Sequence, residues 1–411
     1  MKVNGVIAEY NPFHNGHKYH LEESKRLTGA DYTVAVISGN FVQRGDPALI
    51  DKHTRAEMAL RNGADLVLEL PTVYSASSAE FFATGAVSLL DKLGTITHLC
   101  FGSECGDIGL LRQVASILRE EPAEYTRVLK LRLRQGYSYP NSRNSALIHY
   151  CPALAENTKI FSSPNNILGI EYIKAIMNQG STMEPVTVRR MGADYHSLSP
   201  CSGYCSALSL RQALSDGRGL SSVAHYMPAA ASELLSDRLV LGRGICSNDF
   251  SSALYYKLLS EKETGFDKYL DVSTDLSNRI CRRLSEYKNF DSFCDLLKTK
   301  ELTYTRISRC LLHILLNLTK EDMAVCTELE HTPYARLLGF RRDAEPLLSA
   351  IKEHASIPLV TKLADAEKLL STDTYPMLKQ DIQISQLYYG VAAGLTGQPP
   401  VNEYSLPLVV V

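Results

Sequence analysis

Residues 3–17, VNGVIAEYNPFHNGH, hold a short apolar run, a polar loop and then a Gly that opens a helix-like pattern reaching residue 27. The run that ends at Glu9 reads as a β-strand, and the residues after it read as a loop into a helix start. His14 and His17 stand three apart with Gly16 between them, at the point where strand has ended and helix begins. Open α/β sheets bind ligands at the carboxyl ends of their strands. A helix start adds unpaired N–H groups and a partial positive charge, which favour an anion such as a triphosphate. Gly16 lets a ligand come close to the backbone, and imidazoles can donate to phosphate oxygens as charge develops. As a bare pattern, H-x-x-H reads as a metal pair or merely polar loop residues sooner than as a nucleotide site. The coincidence of first strand, first loop and helix start favours nucleotide binding.

Outward from this stretch the pattern repeats. Residues 32–38 (YTVAVIS), 64–70 and 95–102 (TITHLCFG) are apolar runs, and residues 52–62 and 78–93 between them have helical periodicity. Strands apolar throughout are buried on both faces, and alternation with helices predicts right-handed crossovers into a parallel sheet. The spacing predicts helices over 109–134, 146–156, 165–178 and 206–214, a strand over 183–189, and a strand over 356–361 preceded by a helix over 344–354. Residues 229–329 carry little strand signal and read as helical, and residues 394–411, with three Pro, are expected to be extended. The expected fold class is α/β: a Rossmann-like domain over 1–220, a mostly α-helical domain over 221–330, and a short C-terminal α/β segment over 331–411 packing on the rest.

At about 150 residues per domain, 411 residues predict two to three domains. The chain is 45% hydrophobic and 21% charged with a net charge of -2, which excludes a globally basic coat protein and an acidic disordered tail. A local basic patch remains compatible with that average. No apolar run of signal-peptide length precedes Glu9, and runs such as 65–70 fall far short of the roughly 20 residues that span a bilayer. A cytoplasmic protein without a membrane partner is expected, its ten Cys reduced. Cys201/Cys205 and Cys100/Cys105 lack C-x2-C spacing, so no metal site is assigned.

Neither a G-x-x-x-x-G-K-[ST] loop nor a G-x-G-x-x-G after the first strand is present. The remaining phosphate-binding option on such a sheet is the H-x-G-H class, which transfers the α-phosphoryl group of ATP to an acceptor. Members carry a Ser-rich helix start ending in Arg that reaches the β- and γ-phosphates. Residues 205–211 (CSALSLR), with Ser206 and Arg211, fit that element or an ordinary N-capped surface helix.

Residues 7–20 (IAEYNPFHNGHKYH), 38–47 (SGNFVQRGDP), 101–104 (FGSE), 164–169 (PNNILG), Arg190-Met191-Gly192 with Tyr195-His196, and 334–340 (YARLLGF) stand in this order along the chain. Together they resemble the signature blocks of the bacterial tRNA(Met) cytidine acetate ligase family, within the H-x-G-H nucleotidyltransferases. The resemblance implies a ligase that uses ATP, with Mg2+ on the nucleotide, to turn acetate into acetyl-adenylate. The acetyl group then passes to the N4 amine of the wobble cytidine of elongator tRNA(Met). It implies RNA rather than DNA as partner and leaves the oligomeric state undetermined. ATP contacts carry over to Ile7, Ala8, Glu9, Tyr10, Asn11, Pro12, Phe13, His14, Asn15, Gly16, His17, Lys18, Tyr19 and His20, and to Gly102, Asn165 and Arg190. His14 and His17 are the implied catalytic residues. Asp194 and Leu208 depart from the family pattern.

Acetate is an anionic, weak nucleophile, so the triphosphate's charge must be neutralised; His14, His17, Lys18, Arg44, Arg190 and Arg211 are candidates. Asn40, Gln43, Arg44 and Asp46 come after the second strand and are expected to line the acetate or cytidine pocket, with turn stabilisation as the alternative. Glu104 ends the fourth strand on the same edge and is a candidate to orient ribose or the cytosine amine. Two basic stretches could meet tRNA. One holds Arg279, Arg282, Arg283, Lys288, Lys298, Lys300, Arg306 and Arg309 with Tyr287, Phe290, Phe293 and Tyr304, and the other Arg127, Lys130, Arg132, Arg134 and Arg143 with Tyr137 and Tyr139. The alternative for each is a solvated helix face with aromatics turned inward. The other enzyme class compatible with the motif is an adenylyltransferase of coenzyme biosynthesis acting on a small phosphorylated acceptor.

Overall fold

The computed structural model describes residues 1–190, 204–239 and 244–411. The family block around Tyr195 and His196, with Asp194 and Cys201, lies outside the described residues. The strands are β1 (Val3–Ala8), β2 (Tyr32–Ser38), β3 (Phe41–Val42), β4 (Asp46–Pro47), β5 (Leu66–Leu70), β6 (His98–Ser103), β7 (Glu184–Arg189), β8 (Ala335–Phe340), β9 (Leu359–Val360) and β10 (Val409–Val410). Around the sheet run α1 (Asn15–Thr28), α2 (Lys52–Arg61), α3 (Thr72–Ser75), α4 (Ala79–Asp91), α5 (Ile108–Glu120), α6 (Ala123–Arg134), α7 (Tyr139–Tyr150), α8 (Pro164–Gln179), α9 (Ala207–Ser215) and α10 (Ala229–Arg238). The later helices are α11 (Ser251–Ser260), α12 (Thr274–Arg283), α13 (Phe290–Leu297), α14 (Tyr304–Leu316), α15 (Lys320–Glu328), α16 (Glu345–His354), α17 (Ala366–Leu369) and α18 (Tyr375–Thr396).

The main sheet has the order β10-β8-β5-β2-β1-β6-β7, and β9 pairs with the first residues of β8. From β5 to β7 every pairing is parallel, with β1 flanked by β2 and β6. The chain builds outward through β2 and β5, then returns to the other side of β1 to lay down β6, which makes β1/β6 the topological switch point. The apolar runs split by parity: Val34 and Val36 join the core under α4, α5 and α8, while Ala35 and Ile37 join the core under α1, α2 and α9.

Two expectations are corrected. The helix expected over 146–156 is α7, which starts earlier, with Pro140 in its first turn, and gives way to 3-10 turns over Pro152–Phe161. Residues 394–411 are not uniformly extended: α18 continues to Thr396, where Gly397 at φ 69° ends it, and β10 then joins the sheet. The C-terminal segment also does more than pack on the rest. Its β8 enters the sheet antiparallel to β5, with a register shift between Val67 and Leu68.

Under β5 and β8 lies a buried ring of charges. Lys52 Nζ meets Glu69 at 2.7 and 2.9 Å and also pairs with Glu403, while Arg336 meets Glu69 at 2.8 Å and Glu403 at 2.7 Å. Alternating sign lets each buried charge face two opposite ones, the condition under which burial is tolerated. Burial alone would raise the Glu403 carboxyl, but Lys52 and Arg336 hold it well below the usual carboxylate range.

Candidate active site

At the carboxyl end of β1 the chain turns at Tyr10, a buried non-glycine residue at φ 49°, and enters α1 through His14. His14 caps the helix: its Nδ1 accepts the Gly16 N–H at 3.0 Å, and its own N–H donates to His17 Nδ1 at 3.2 Å. The rings stack with centroids 3.7 Å apart. Because each Nδ1 is an acceptor, each neutral ring carries its proton on Nε2. A Cβ at Gly16 would stand 2.8 Å from the His14 ring, so the glycine makes room for the imidazole cap itself.

Burial is the first cause that lowers all three histidine pKa values, helped by nearby positive charge: His14 to about 3, His20 to about 4 and His17 well below its ordinary value. At neutral pH the rings are neutral hydrogen-bond donors. The folded state therefore binds fewer protons than the unfolded chain between the ordinary histidine value of 6.5 and these lowered values. This contribution to stability is complete above about pH 6.5 and fades as pH falls toward 4 and then 3. Urea midpoints of the parent should drop across that window, and those of His14→Gln/His20→Gln should drop less. Parallel profiles would show that these rings are solvated.

These residues line a cavity of about 560 Å³, within the range of ligand pockets. Three helix starts converge on it: α1 through His14, Gly16 and His17; α8 through Pro164 and Asn165; and α9 through Cys205, Ser206 and Ala207. Arg44, Arg190, Arg211 and Arg309 also line it, and Glu9 is the acid among the described lining residues. Burial lowers Arg44, Arg190 and Arg309 from the ordinary arginine value, yet a guanidinium stays protonated at neutral pH. Four buried polar atoms of lining residues, Tyr10 Oη, Asn11 Nδ2, His20 Nε2 and Arg309 Nε, have no hydrogen-bond partner among the described residues. Such atoms are rare in native interiors and fit a polar ligand.

Of the expected ATP contacts, Ile7, Ala8, Glu9, Tyr10, Asn11, His14, Gly16, His17, Tyr19, His20, Gly102, Asn165 and Arg190 line the cavity. Pro12, Phe13, Asn15 and Lys18 do not. Phe13 is core, Asn15 donates to the His225 carbonyl at 3.1 Å, and Lys18 lies on the exposed face of α1 facing Glu22 at 3.8 Å. In the neighbouring pairs, Asn165 and Arg190 line the cavity; Asn166 is buried against the backbone of Glu104 and Cys105, and Arg189, exposed like Arg190, does not line it. Ser206 caps α9 by accepting the Ser209 N–H at 3.1 Å, and Arg211 donates to the Asn11 carbonyl at 2.6 Å. Both residues line the cavity, as a phosphate-facing helix start requires.

Three expected pocket residues have structural partners instead, the first being Asp46, whose Oδ1 accepts the Ser247 hydroxyl at 3.0 Å. Asn40 accepts the Lys52 N–H and donates to Ser385 Oγ, both at 2.8 Å, which is the turn-stabilising alternative, while its neighbours Gln43 and Arg44 do line the cavity. Glu104 is committed to α8. Its Oε1 accepts Asn165 Nδ2 at 2.7 Å, its Oε2 accepts the Asn166 N–H at 2.9 Å, and Asn166 Oδ1 returns to the Glu104 N–H at 2.9 Å. A carboxylate on a helix N-terminus is a favourable cap, so Glu104 orients Asn165, which in turn receives Arg190 at 3.4 Å.

Residues whose place at the cavity sequence reading missed come from elsewhere in the chain, Arg309 of the first basic stretch among them. Arg55, on α2, is fully buried and donates to the carbonyls of Glu9 (2.7 Å), Ser38 (3.0 Å) and Gly39, tying together the ends of β1 and β2. Thr305 and Arg309, on α14, line the cavity beside the Arg44 turn. There Gly45 at φ 84° abuts α14 so closely that a Cβ would stand 2.5 Å from the Arg309 nitrogen. Nothing in a regular amphipathic helix marks such a residue in the sequence. The aromatics of the first basic stretch are corrected: Phe290 and Phe293 are core residues, Arg279 donates to the Leu297 carbonyl at 3.0 Å, and Arg283 pairs with Glu286 at 3.0 Å.

A parallel sheet whose first strand delivers H-x-G-H to a cationic cavity at its switch point defines a nucleotidyltransferase, and residues 1–398 match the family described as HIGH Nucleotidyl Transferase. The chain is 42% identical over 394 residues to the tRNA(Met) cytidine acetate ligase of Acetivibrio thermocellus, covering 94% of this chain and 93% of that one. It is 39% identical to that of Clostridium acetobutylicum across the whole of both chains. A crystal structure of Thermotoga maritima TmcAL bound with alpha-thio ATP superposes with a TM-score of 0.91 at 34% identity, covering 100% of this chain and 99% of that one. The chain belongs to the tRNA(Met) cytidine acetate ligase family.

Proposed function

We propose that the chain is an ATP-dependent ligase that activates acetate and acetylates the N4 amine of the wobble cytidine of elongator tRNA(Met). The observation that carries the ATP step is the convergence of three helix starts, two Nε2–H imidazoles and four arginines on one cavity. The RNA acceptor follows from the named relatives. An acetate oxygen attacks the α-phosphorus as the bond to pyrophosphate breaks. The cytidine N4 then attacks the acetyl carbonyl, AMP leaves with the bonding electrons, and N4 loses a proton. His14 and His17 donate to the phosphates, and Arg44, Arg190, Arg211 and Arg309 offset the repulsion between acetate and triphosphate. No protein nucleophile is needed.

Mg2+ suits this site as an ion carried by the nucleotide. Glu9 is the carboxylate on the described lining, and its Oε1 already accepts the Gln43 N–H at 3.1 Å, so phosphate oxygens and water supply most ligands. The ATP site belongs to residues 1–220 but draws Thr305 and Arg309 from the helical part over 221–330. Residues 331–411 complete the sheet. Among the described residues no helix is long and apolar enough to cross a membrane, and we place the reaction in the cytoplasm.

Acetate-dependent ATP–pyrophosphate exchange without RNA, followed by N4-acetylcytidine on added tRNA(Met) detected by mass spectrometry, tests both steps. Exchange that ignored acetate, together with adenylylation of a small phosphorylated acceptor, would replace this reading with the coenzyme adenylyltransferase.

A further inference from the structure

Residues 125–155 contain five Lys or Arg and no Asp or Glu, the opposite of the chain's near-neutral average. They fold as most of the α6–α7 hairpin. Tyr125, Val128 and Leu129 pack inward with Ala146 and Leu147, so the hairpin's fold is secured by that face alone. The other face and the tip are unpartnered. Tyr137 is 50% exposed and Tyr139 55%, and Leu131 and Leu133 are also exposed. Arg132 lies over the Tyr137 ring at 5.1 Å. Arg127 is spent on Glu124, but among the described residues no ion pair is seen for Lys130 or Arg134.

From the base of this hairpin the 152–161 turns lead directly into α8, whose first residues, Pro164 and Asn165, line the ATP cavity. A polyanion held on the hairpin is therefore tied through these turns to an element that lines the cavity.

We propose that the α6–α7 tip grips an unpaired stretch of the RNA substrate, with Tyr137 and Tyr139 stacking on splayed bases and Lys130, Arg132 and Arg134 meeting its phosphates. This surface rests on the RNA-acetylation reading. Exposed rings among uncompensated cations are the combination that single-stranded nucleic acid requires, since every base offers a π-face and every nucleotide a charge. The basic stretch on α12–α14 lacks it, because Phe290 and Phe293 are buried there.

The test uses the full chain and an unmodified tRNA(Met) transcript. Each of Tyr137→Ala and Tyr139→Ala should weaken transcript binding by roughly 5- to 100-fold. Lys130→Glu/Arg134→Glu should weaken it further and flatten its salt dependence, by about 0.7 in log–log slope per lost phosphate contact. Acetate-dependent ATP–pyrophosphate exchange should be unchanged in all three, which also shows that they fold. Transcript affinity equal to the parent's in every variant overturns the surface while leaving the ligase reading intact. A parent that bound no transcript overturns the RNA reading and the surface with it. Loss of binding to phosphatidylglycerol vesicles with transcript binding retained would make the hairpin a lipid-facing element and overturn the proposal.

Discussion

His17→Ala is expected to slow acetate-dependent ATP–pyrophosphate exchange by on the order of 10²–10³-fold, the effect of removing one positioned donor from a developing oxyanion. The size stems from how the ring is held. Its Nδ1 is occupied by the His14 N–H, its face stacks on His14, and burial keeps it neutral, so its one N–H is already oriented when substrate arrives. A donor fixed in advance is worth more in the transition state than in the ground state, so kcat should fall more than the KM for ATP rises. The substitution also deletes the reciprocal half of the α1 cap, which costs about 1 kcal/mol of stability. Thermal unfolding run beside the exchange assay separates the two effects. A variant with near-parental exchange would show that His17 only shapes the loop.

Lys52→Met is expected to destabilise the fold by about 3–5 kcal/mol, the cost of removing one partner from a buried ion pair. Glu69 and Glu403 would then share Arg336 alone in the buried interior. Glu69 sits on β5, Arg336 on β8 and Glu403 near the C-terminus, so the damage should focus on the junction of the C-terminal segment with the sheet. Denaturant unfolding measures the loss, and hydrogen exchange should place it at β8 and β10. A loss under about 1 kcal/mol would show that the remaining charges are compensated without Lys52. Lys52 does not line the cavity, so specific activity of the folded fraction should persist.

Much of the cavity lining was legible because it is local. The strand, the loop and the α1 start lie within a few residues of each other, and continuous apolar runs announce strands buried on both faces. The Ser206–Arg211 element was legible for the same reason, as one helix start with its cap. Glu104 was found, but a carboxylate after a strand can face a ligand or cap a helix more than sixty residues away, and only the tertiary structure shows it on the start of α8. Arg55 and Lys52 read as the polar side of an amphipathic helix, yet α2 is buried on nearly every side and both charges are enclosed. Phe290 and Phe293 interleave with arginines in the sequence much as Tyr137 and Tyr139 do. Helix phase against neighbours distant in sequence sends the first pair inward and leaves the second outside.

The sequence by itself determined the order of the strands along the chain, the H-x-G-H helix start and the family, because short-range periodicity and ordered motifs encode each of them. Tertiary structure alone decided the place of β8 between β5 and β10, the reach of Arg309 into the cavity and the burial of the charge ring. Each of these depends on contacts between segments more than two hundred residues apart, and nothing in the local pattern distinguishes the partner that is met from those that are not.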